Sequence, residues 1–434
     1  MLAFTVPYGQ AQLMFRLPDG LHVEVVEPPD VAAVADPLSV VKAALDTPVG
    51  SARLSDFRGA RSAAVAINDK TRPVPHKHLL PPLLCRLEGI GLAPADIQII
   101  IASGAHLPMP RKEFLRVVPA EVLARYAVCC HDADDETNLV HLGATSRGTP
   151  VWVNRRYLDA DLRLVVGNIE PHQFQGFSGG IKSAAIGLAG RETIEHNHTL
   201  MTDPRAQLGR YNDNPARQDV EEIGQAIGVH LALNAILNGQ KQIVHALAGE
   251  PRAVMESGIA LSRSVSQVAV DAPFDLVLAS PGGHPKDIDL YQSQKALAHA
   301  SLVTRDGGAV ILAAACPEGT GSRTYEAWMT GMRSYDEVLA KFEREGFQIG
   351  PHKAFQIARD AARVRAILVS EMAPELVRRL LLTPAESING ALGLILPGSP
   401  ANARVGIMPN ASSTIPLTLN RSSQSSYSVQ DQRK

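Results

Sequence analysis

The sequence predicts an α/β protein with two α/β domains, largely parallel sheets and an active site in the interdomain cleft. Short apolar runs rich in β-branched residues alternate with longer segments of helical periodicity, which is typical of parallel sheets covered by helices. The alternation occurs twice, and 434 residues are enough for two cores. We place the domains at 1–270 and 271–419, followed by a Ser- and Gln-rich tail at 420–434 that is predicted to be flexible.

The first half is predicted to open with a small hairpin, because "FTVPYG" and "LHVEVVEPP" flank the turn "LPDG". Strands follow at 62–69, 96–106 and 162–172, and all three end in polar residues. A helix is predicted over 213–228, where Asn214 suits the N-cap and Pro215 the first helical position.

The second half repeats the alternation. A strand with a glycine loop at 274–283, a helix at 287–303 and a strand at 307–316 form a predicted βαβ unit. Further strands are expected at 363–370 and 392–399, which gives this half a sheet of its own.

Composition favours small-molecule ligands. A net charge of -2 gives no electrostatic reason to expect a nucleic acid or an anionic membrane as partner. No apolar stretch approaches the ~20 residues that span a bilayer, and the N-terminus lacks a signal-peptide pattern, so we expect a cytoplasmic protein. The cysteines show no C-x-x-C spacing and are interpreted as reduced core residues: Cys85, Cys129, Cys130 and Cys316.

Polar side chains follow the three strands of the first half. Asp69 and Arg72 come after the first strand, His106 after the second and His172 after the third. Because ligands of parallel α/β sheets bind at the carboxyl ends of the strands, we expect these residues to converge.

The second half offers a comparable set at the start of its predicted helix. Tyr291, Gln292 and Lys295 lie in the first turns, and the spacing of four places Tyr291 and Lys295 on one face. A cleft lined from both domains is a favoured place for a small ligand.

Each of these residues also has a structural interpretation. A single histidine at a strand end is more often a hydrogen-bonded structural residue than a catalyst. Asp69 closing a turn, Arg72 pairing with it and Lys295 on a solvated helix face are equally ordinary roles.

The segment "GFSGGIKS" at 176–183 resembles a phosphate-binding loop with one substitution. A Walker A loop reads G-x-x-x-x-G-K-[ST], and this segment has Ile181 in place of the second glycine, directly before Lys182. The motif by itself therefore leaves the role of Lys182 open.

Four separated motifs together resemble the nickel-dependent lactate racemase family, and the resemblance covers nearly the whole chain. In order they are "INDKTRPVP", "SGAHLP", "EPHQFQGFSGGIKSAAIGLAGRETIEHNHTLM" and "HPKDIDLYQSQKAL". The family resemblance implies a racemase or epimerase of a 2-hydroxy carboxylic acid such as lactate.

The resemblance also implies a cofactor. It is a nickel-pincer nucleotide, pyridinium-3-thioamide-5-thiocarboxylic acid mononucleotide, covalently linked to Lys182, with His198 as the protein ligand of nickel. Cofactor-maturation enzymes would then be partners of the chain. A covalent tether does not need the Walker turn, and we expect the backbone around Ser178, Gly179 and Gly180 to approach the phosphate.

The remaining roles implied by the resemblance divide between proton transfer and binding. His106 and His172 match a pair of acid/base histidines, and imidazole titrates near neutral pH. Arg72 would bind the substrate carboxylate through its forked guanidinium. Asp69 is expected near the cofactor, and substrate contacts are expected from Tyr291, Gln292 and Lys295.

Two other functions stay open at the level of sequence. One is a cofactor-free racemase that uses His106 and His172 as a two-base pair, and the other is a ligand-binding homologue without turnover. Ile181 and the following "SAAIG" depart from the family pattern, and the sequence leaves both the substrate and the oligomeric state undetermined.

Overall fold

The computed structural model describes residues 2–50, 53–398 and 402–419, so the predicted tail lies outside the described residues. The chain divides into two compact units. Residues 2–28 and 267–419 form the first, called here the terminal unit, and residues 29–266 form the central unit. The predicted α/β class with largely parallel sheets is confirmed.

The strands supply two main sheets and four small pairings. In the described residues they are β1 Leu2–Tyr8, β2 Ala11–Leu17, β3 His22–Val25, β4 Ala63–Asn68, β5 Ile97–Ala102, β6 Ala127–Cys130, β7 Leu139–Ala144, β8 Pro150–Asn154, β9 Leu162–Asn168, β10 Pro171–His172, β11 Gly176–Phe177, β12 Leu231–Leu237, β13 Ile243–Gly249, β14 Gln267–Val270, β15 Phe274–Ala279, β16 Thr304–Ala313, β17 Arg365–Val369, β18 Thr383–Ala385, β19 Arg404–Met408 and β20 Ile415–Thr418.

The helices connect the strands within each unit. Over the same described ranges they are α1 Pro37–Asp46, α2 His76–Gly89, α3 Ala120–Arg125, α4 Arg155–Leu158, α5 Lys182–Ala185, α6 Arg191–Thr199, α7 Pro215–Ile227, α8 Pro251–Ser266, α9 Leu290–Ser301, α10 Arg323–Met329, α11 Tyr335–Glu345, α12 Pro351–Ala361, α13 Pro374–Arg379 and α14 Ile388–Ile395. The predicted caps of α7 are confirmed, since the Asn214 side chain accepts the Arg217 N–H and Pro215 is the first helical residue.

The central unit contains a six-stranded sheet with the order β13-β12-β9-β4-β5-β6. Strand β13 runs antiparallel to β12, and the other neighbouring pairs are parallel. The predicted strands at 62–69, 96–106 and 162–172 are β4, β5 and β9, which are adjacent. Their carboxyl ends therefore lie at one edge of the sheet, where ligands of such sheets bind.

The terminal unit contains a second sheet with the order β18-β17-β16-β15-β19-β3, and all of its pairs are parallel. The predicted βαβ unit is β15, α9 and β16. Buried side chains from three of these strands, Leu276, Ile311 and Ile367, belong to the core of this unit.

The N-terminal segment belongs to the terminal unit, whereas the sequence analysis placed it in the first domain. Strand β3 pairs with β19, with His22 opposite Arg404, and Phe15 is buried in the terminal core. The predicted hairpin around "LPDG" was wrong. The hairpin joins β1 to β2, where Gly9 has a φ of +54°, and "LPDG" leads from β2 to β3 of another sheet.

The strand predicted at 392–399 was also wrong. Residues Ile388–Ile395 form α14, with the Ser387 side chain accepting the Gly390 N–H as N-cap. An apolar run of this length suits a strand and a buried helix equally, so periodicity alone cannot separate them. The strand in this part of the chain is β19, which the sequence analysis did not predict.

In the described ranges, no helix combines the length with the apolar composition that crossing a bilayer requires. The four cysteines are free thiols. Cys316 is buried and Cys129 and Cys130 are half-buried, but Cys85 is exposed, so its assignment to the core was wrong.

Candidate active site

Asp69 and His106 meet at the carboxyl edge of the central sheet. They follow β4 and β5, which pair through Asn68 and Ala102. Oδ2 of Asp69 lies 2.8 Å from Nδ1 of His106. The Asp69 side chain is 4% exposed and that of His106 is 52% exposed. A buried carboxylate therefore supports an imidazole that remains accessible to a ligand.

The surroundings of Asp69 keep it ionised. Burial by itself would raise the pKa of this carboxyl, but hydrogen bonds from His106 and Thr71, with the charges of His106 and Arg72, hold the pKa below its ordinary value. Thr71 donates its backbone N–H and its hydroxyl to Oδ1 at 3.1 and 2.6 Å. An ionised carboxylate is a hydrogen-bond acceptor only, so Asp69 orients its donors.

Arg72 lies at the same edge and is half-buried. Its backbone N–H donates to the Asp69 carbonyl at 3.2 Å. Its charge also helps to lower the pKa of Glu170, a carboxyl whose pKa burial would raise and whose strongest partner is Lys241 at 3.0 Å. Glu170 and Lys241 were not predicted as site residues; only the position of Glu170 beside His172 pointed to it.

His172 and His198 lie on either side of one phenyl ring. The β10–β11 hairpin sets His172 opposite Gly176. The Phe174 ring packs edge to face on the His172 ring, with centroids 4.9 Å apart, and on the His198 ring at 5.0 Å. Two predicted site residues therefore share a neighbour. Sequence reasoning missed Phe174, because an apolar aromatic residue carries no chemical signal.

The loop before Lys182 requires glycine at two successive positions. Gly179 and Gly180 have φ values of +94° and +58°. A Cβ at Gly179 would lie 2.6 Å from Cγ1 of Ile169, and one at Gly180 would lie 2.5 Å from Cγ of Met255. Larger residues would therefore force the loop outward. The backbone of this loop is therefore packed tightly against Ile169 and Met255.

Ser178 and Lys182 are buried in this loop, at 5% and 7% exposure. Lys182 is the first residue of α5, and its backbone N–H donates to the Gly179 carbonyl at 3.4 Å. Among the described residues, the Ser178 hydroxyl has no hydrogen-bond partner. Buried hydroxyls in folded proteins are nearly always paired, so this atom is suited to a ligand oxygen.

Helix α7 supports the loop at 176–182, called here the lysine loop. Arg217 is fully buried and donates to the carbonyls of Phe177 and Gly179 at 3.0 and 3.3 Å. Its guanidinium also pairs with Glu221 at 2.6 Å. Sequence reasoning missed Arg217, although its spacing of four from Glu221 on a helix was a usable signal.

Helix α7 also holds α6, the helix that carries His198. Nδ2 of Asn197 donates to Oδ2 of Asp219 at 2.9 Å and to the Ala216 carbonyl at 3.0 Å, and both acceptors belong to α7. His198 itself is half-buried. The lysine loop and the His198 helix are thus fixed to one support.

No protein-only metal centre is present in the part of the chain that the structure describes. No group of three or more His, Cys, Asp or Glu side chains is arranged there to hold a metal ion.

The other three predicted residues form a polar face in the terminal unit. Asp289 caps α9 by accepting the Gln292 N–H at 2.8 Å. Nζ of Lys295 donates to Oε1 of Gln292 at 2.8 Å. Tyr291 is one turn before Lys295, as predicted, and burial with the charge of Asp289 raises its pKa to about 12.

Two residues at the start of α12 approach this face, and sequence reasoning missed both. The Tyr291 hydroxyl lies 3.3 Å from Nε2 of His352, and Nζ of Lys353 lies 4.4 Å from the centre of the Tyr291 ring. Burial, with the charge of Lys295, holds the pKa of Lys353 well below its usual range. No local pattern marks these residues, since α12 is distant from α9 in the chain.

The predicted residues therefore occupy two places. The central unit collects the polar strand ends and the lysine loop with its histidine helix, namely Asp69, Arg72, His106, His172, Ser178, Gly179, Gly180, Lys182 and His198. The terminal unit carries Tyr291, Gln292 and Lys295. Their individual roles stay predictions.

Comparison with protein families matches both parts of the chain. The family model described as "Lactate racemase N-terminal domain" matches residues 8–209, and the one described as "Lactate racemase C-terminal domain" matches residues 269–415. The matched ranges contain every predicted site residue.

Two lactate racemases and a solved structure also match this chain over nearly its full length. The lactate racemase of Thermoanaerobacterium thermosaccharolyticum is 28% identical over 425 residues, covering 96% of this chain and 99% of that protein. That of Lactiplantibacillus plantarum is 27% identical over 422 residues, covering 94% and 98%. The structure of the T. thermosaccharolyticum lactate racemase apoprotein superposes with a TM-score of 0.89 at 28% identity, covering 96% of this chain and all of that one.

A crystal structure of a Thermotoga maritima protein shares the fold, with a TM-score of 0.65 at 20% identity over 87% of this chain and 97% of that one. Both domain models match the chain, and relatives and a solved structure align with it over nearly the full length. These matches lead to the same conclusion. The chain belongs to the lactate racemase family and is an isomerase.

Proposed function

We propose that this protein racemises or epimerises a 2-hydroxy carboxylic acid with the help of a nickel-pincer nucleotide tethered to Lys182, with His198 as the nickel ligand. The observation that carries the proposal is that α7 holds the segments of both Lys182 and His198. Arg217 fixes the loop before Lys182, and Asp219 fixes the helix of His198. A common support of this kind would hold the two residues in a constant relation to a cofactor bound to both.

The lysine loop and the His198 helix together fit a metal-bearing nucleotide in three respects. The Ser178 hydroxyl is buried without a partner in the described ranges, which suits a phosphate oxygen. Glycine at 179 and 180 brings the backbone close to whatever the loop binds. His198 offers one imidazole in a unit whose described residues contain no protein-only metal cluster, which suits a metal that arrives with its other ligands.

The cofactor, when bound, supplies the acceptor and donor for the substrate α-hydrogen, transferred as hydride. The protein then has to move the hydroxyl proton, because a 2-hydroxy carboxylate gives up hydride readily only once that proton is lost. His106 is suited to this step, since Asp69 stabilises the imidazolium that forms. His172 is proposed to serve the same hydroxyl in the opposite configuration, with the Phe174 ring packed edge to face against it.

Substrate orientation is assigned to two groups of side chains. Arg72, at the edge that carries Asp69 and His106, is proposed to bind the substrate carboxylate bidentately. Tyr291, Gln292 and Lys295 are proposed to contact the substrate from the terminal unit, with Lys295 directed at a substrate oxygen.

Lactate is the first substrate to test, because both relatives are named lactate racemase. At 27–28% identity the side chain of the acid can differ, so a panel of 2-hydroxy acids is needed. We further propose that cofactor-maturation enzymes are the physiological partners and that the protein works in the cytoplasm without nucleic acid or membrane.

The proposal is tested by intact-mass measurement of the full chain co-produced with the cofactor-making enzymes. We expect the wild type to carry a covalent adduct of the mass of the nucleotide, and Lys182→Ala to carry none, since the amine that forms the link is missing. Racemisation of the acid panel is expected to follow the adduct.

The matched control is Lys42→Ala, which removes an exposed lysine of α1 in the same unit and should keep both the adduct and the activity. An unmodified wild type after co-production would contradict the tether. Full racemase activity of unmodified, nickel-free protein would favour the two-base mechanism, and ligand binding without any exchange of configuration would favour a binding protein.

A further inference from the structure

We propose that His106 and His172 are held in opposite tautomers before substrate binds: His106 with its proton on Nδ1, and His172 with its proton on Nε2. Gln175 is the positioning residue for the second. The inference rests on the proposed function for its chemical meaning. The tautomers themselves follow from the hydrogen bonds of the polypeptide and can be measured without cofactor.

The tautomer of His106 is fixed by an acceptor. Nδ1 of His106 lies 2.8 Å from Oδ2 of Asp69, and the other oxygen of that carboxylate already accepts two hydrogen bonds from Thr71. A carboxylate in these surroundings is ionised and cannot donate. The proton of the contact therefore belongs to Nδ1, and Nε2 presents a lone pair.

The tautomer of His172 is fixed by a donor. The backbone N–H of Gln175 points to Nδ1 of His172 at 3.3 Å. A backbone N–H cannot accept, so Nδ1 must provide the lone pair. The proton of neutral His172 then belongs to Nε2, which is the reverse of His106.

The side chain of Gln175 holds that backbone N–H in place. Gln175 is fully buried, and its Nε2 donates to Oδ1 of Asn197 at 2.9 Å. Asn197 is in turn bound to Asp219 of α7 at 2.9 Å. In the described ranges the Gln175 Oε1 has no partner, so this amide is buried in spite of an unsatisfied acceptor. We explain the presence of this buried amide by its hydrogen bond to Asn197, which anchors the turn that carries His172.

The two tautomers prepare the histidines for different tasks. A free lone pair on Nε2 of His106 accepts the hydroxyl proton of the substrate, and the proton remains on His106 as imidazolium beside Asp69. A proton on Nε2 of His172 donates a hydrogen bond to the substrate oxygen and cannot accept one there. For His172 to act as the base, its contact with the Gln175 N–H has to break first.

The experiment is nitrogen-15 NMR of the full chain labelled at histidine, at about pH 8, where histidine is neutral. The protein contains its own standards. His131 accepts from Asn154 at Nδ1 and donates from Nε2 to the Ala189 carbonyl, at 3.0 and 2.9 Å, so its proton is on Nε2. His76 donates from Nδ1 to the Val117 carbonyl at 2.8 Å, so its proton is on Nδ1. Single His→Gln variants assign the signals.

We expect His172 to show the nitrogen shifts of the His131 class and His106 those of the His76 class. In Gln175→Ala, His172 should move to shifts averaged between the two tautomers, while His106 and His131 stay unchanged. Wild-type His172 protonated on Nδ1, or His106 protonated on Nε2, would overturn the assignment even if the variant does not fold. An unchanged His172 in folded Gln175→Ala would overturn the role of Gln175.

These outcomes are separate from those that test the racemase. The spectra are recorded on unmodified protein, so absence of a nucleotide adduct or of activity leaves them unaffected. Conversely, an adduct on Lys182 with the wrong tautomers would refute this inference alone.

Discussion

Asp69 shows how one residue can be both structural and functional. It closes a turn through Thr71, as the ordinary interpretation of the sequence expected, and it also binds His106. The second contact depends on two strands that are adjacent in the sheet and separated in the chain. Its value lies in the charge, because a neutral partner would orient His106 without stabilising the imidazolium.

Asp69→Asn tests that charge at the scale of one residue. On the proposed mechanism we expect kcat for racemisation to fall roughly 10²-fold or more, since an amide does not stabilise the protonated base. Steady-state kinetics on matured protein measures it. Thr71→Val, which removes one hydrogen bond to the carboxylate and leaves its charge, is the control and should lose much less. A fall of less than tenfold in Asp69→Asn would contradict the assigned role.

At the scale of elements, two arginine–glutamate pairs in the described helices have the same i,i+4 spacing but opposite surroundings. In α7, the side chains of Arg217 and Glu221 are 0% and 7% exposed. In α8, those of Arg252 and Glu256 are 52% and 56% exposed. Only the first pair also holds a loop, through the carbonyls of Phe177 and Gly179. Burial turns an ordinary helical pair into the support of the lysine loop.

Arg217→Met is expected to destabilise the central unit by about 3–5 kcal/mol, because it leaves a buried carboxylate and two carbonyls without their partner. Arg252→Met is the matched control and should cost less than about 1 kcal/mol. Urea unfolding of both variants measures the difference. Loss of the Lys182 adduct under conditions where Arg217→Met is still folded would further show that the loop has moved. Equal costs for the two variants would contradict the role of Arg217.

At the scale of the whole molecule, each unit contains a histidine that is neutral because it is buried. Burial lowers the pKa of His76, in the central unit, to about 4, and that of His299, in the terminal unit, also to about 4. Each donates Nδ1–H to a backbone carbonyl, of Val117 and Ala411 respectively. Both units are therefore expected to lose stability in acid.

The direction of this pH dependence follows from the protonation of histidine in the unfolded and in the folded chain. In the unfolded chain histidine has a pKa of ~6.5 and takes up a proton as the pH falls, whereas the folded residue stays neutral down to about 4. Stability is therefore complete above pH ~6.5 and is lost between ~6.5 and 4. From pH 7 to 5 we expect each histidine to cost about 2 kcal/mol in the free energy of unfolding.

Urea unfolding of wild type and His299→Gln at pH 7 and pH 5 checks this expectation. The variant should be less stable at pH 7 but should lose less stability on acidification, because glutamine does not titrate. The same comparison with His76→Gln examines the central unit. An equal loss of stability in wild type and variant would show that these histidines are not the acid-sensitive groups.

Much of the site was predictable because its residues lie at strand ends. Asp69, His106 and His172 follow β4, β5 and β9, and parallel strands deliver their carboxyl ends to one edge. Glu170 and Lys353 were not predicted, since their importance comes from contacts with residues distant in the chain, and Phe174 was not predicted because an apolar aromatic residue carries no chemical signal. The helix at 388–395 was mistaken for a strand because a short apolar run has no period of its own.

The sequence alone determined the α/β class, the central strands and the identity of the chemical groups, because each of these is encoded in local composition and spacing. Tertiary structure decided the rest. It joined residues 2–28 to the terminal unit by pairing β3 with β19. It fixed the lysine loop and the His198 helix to α7. It also gave His106 a hydrogen-bond acceptor and His172 a hydrogen-bond donor as partner of Nδ1. These outcomes depend on which surfaces become buried together, and burial between distant segments is a property of the packed chain that no local pattern specifies.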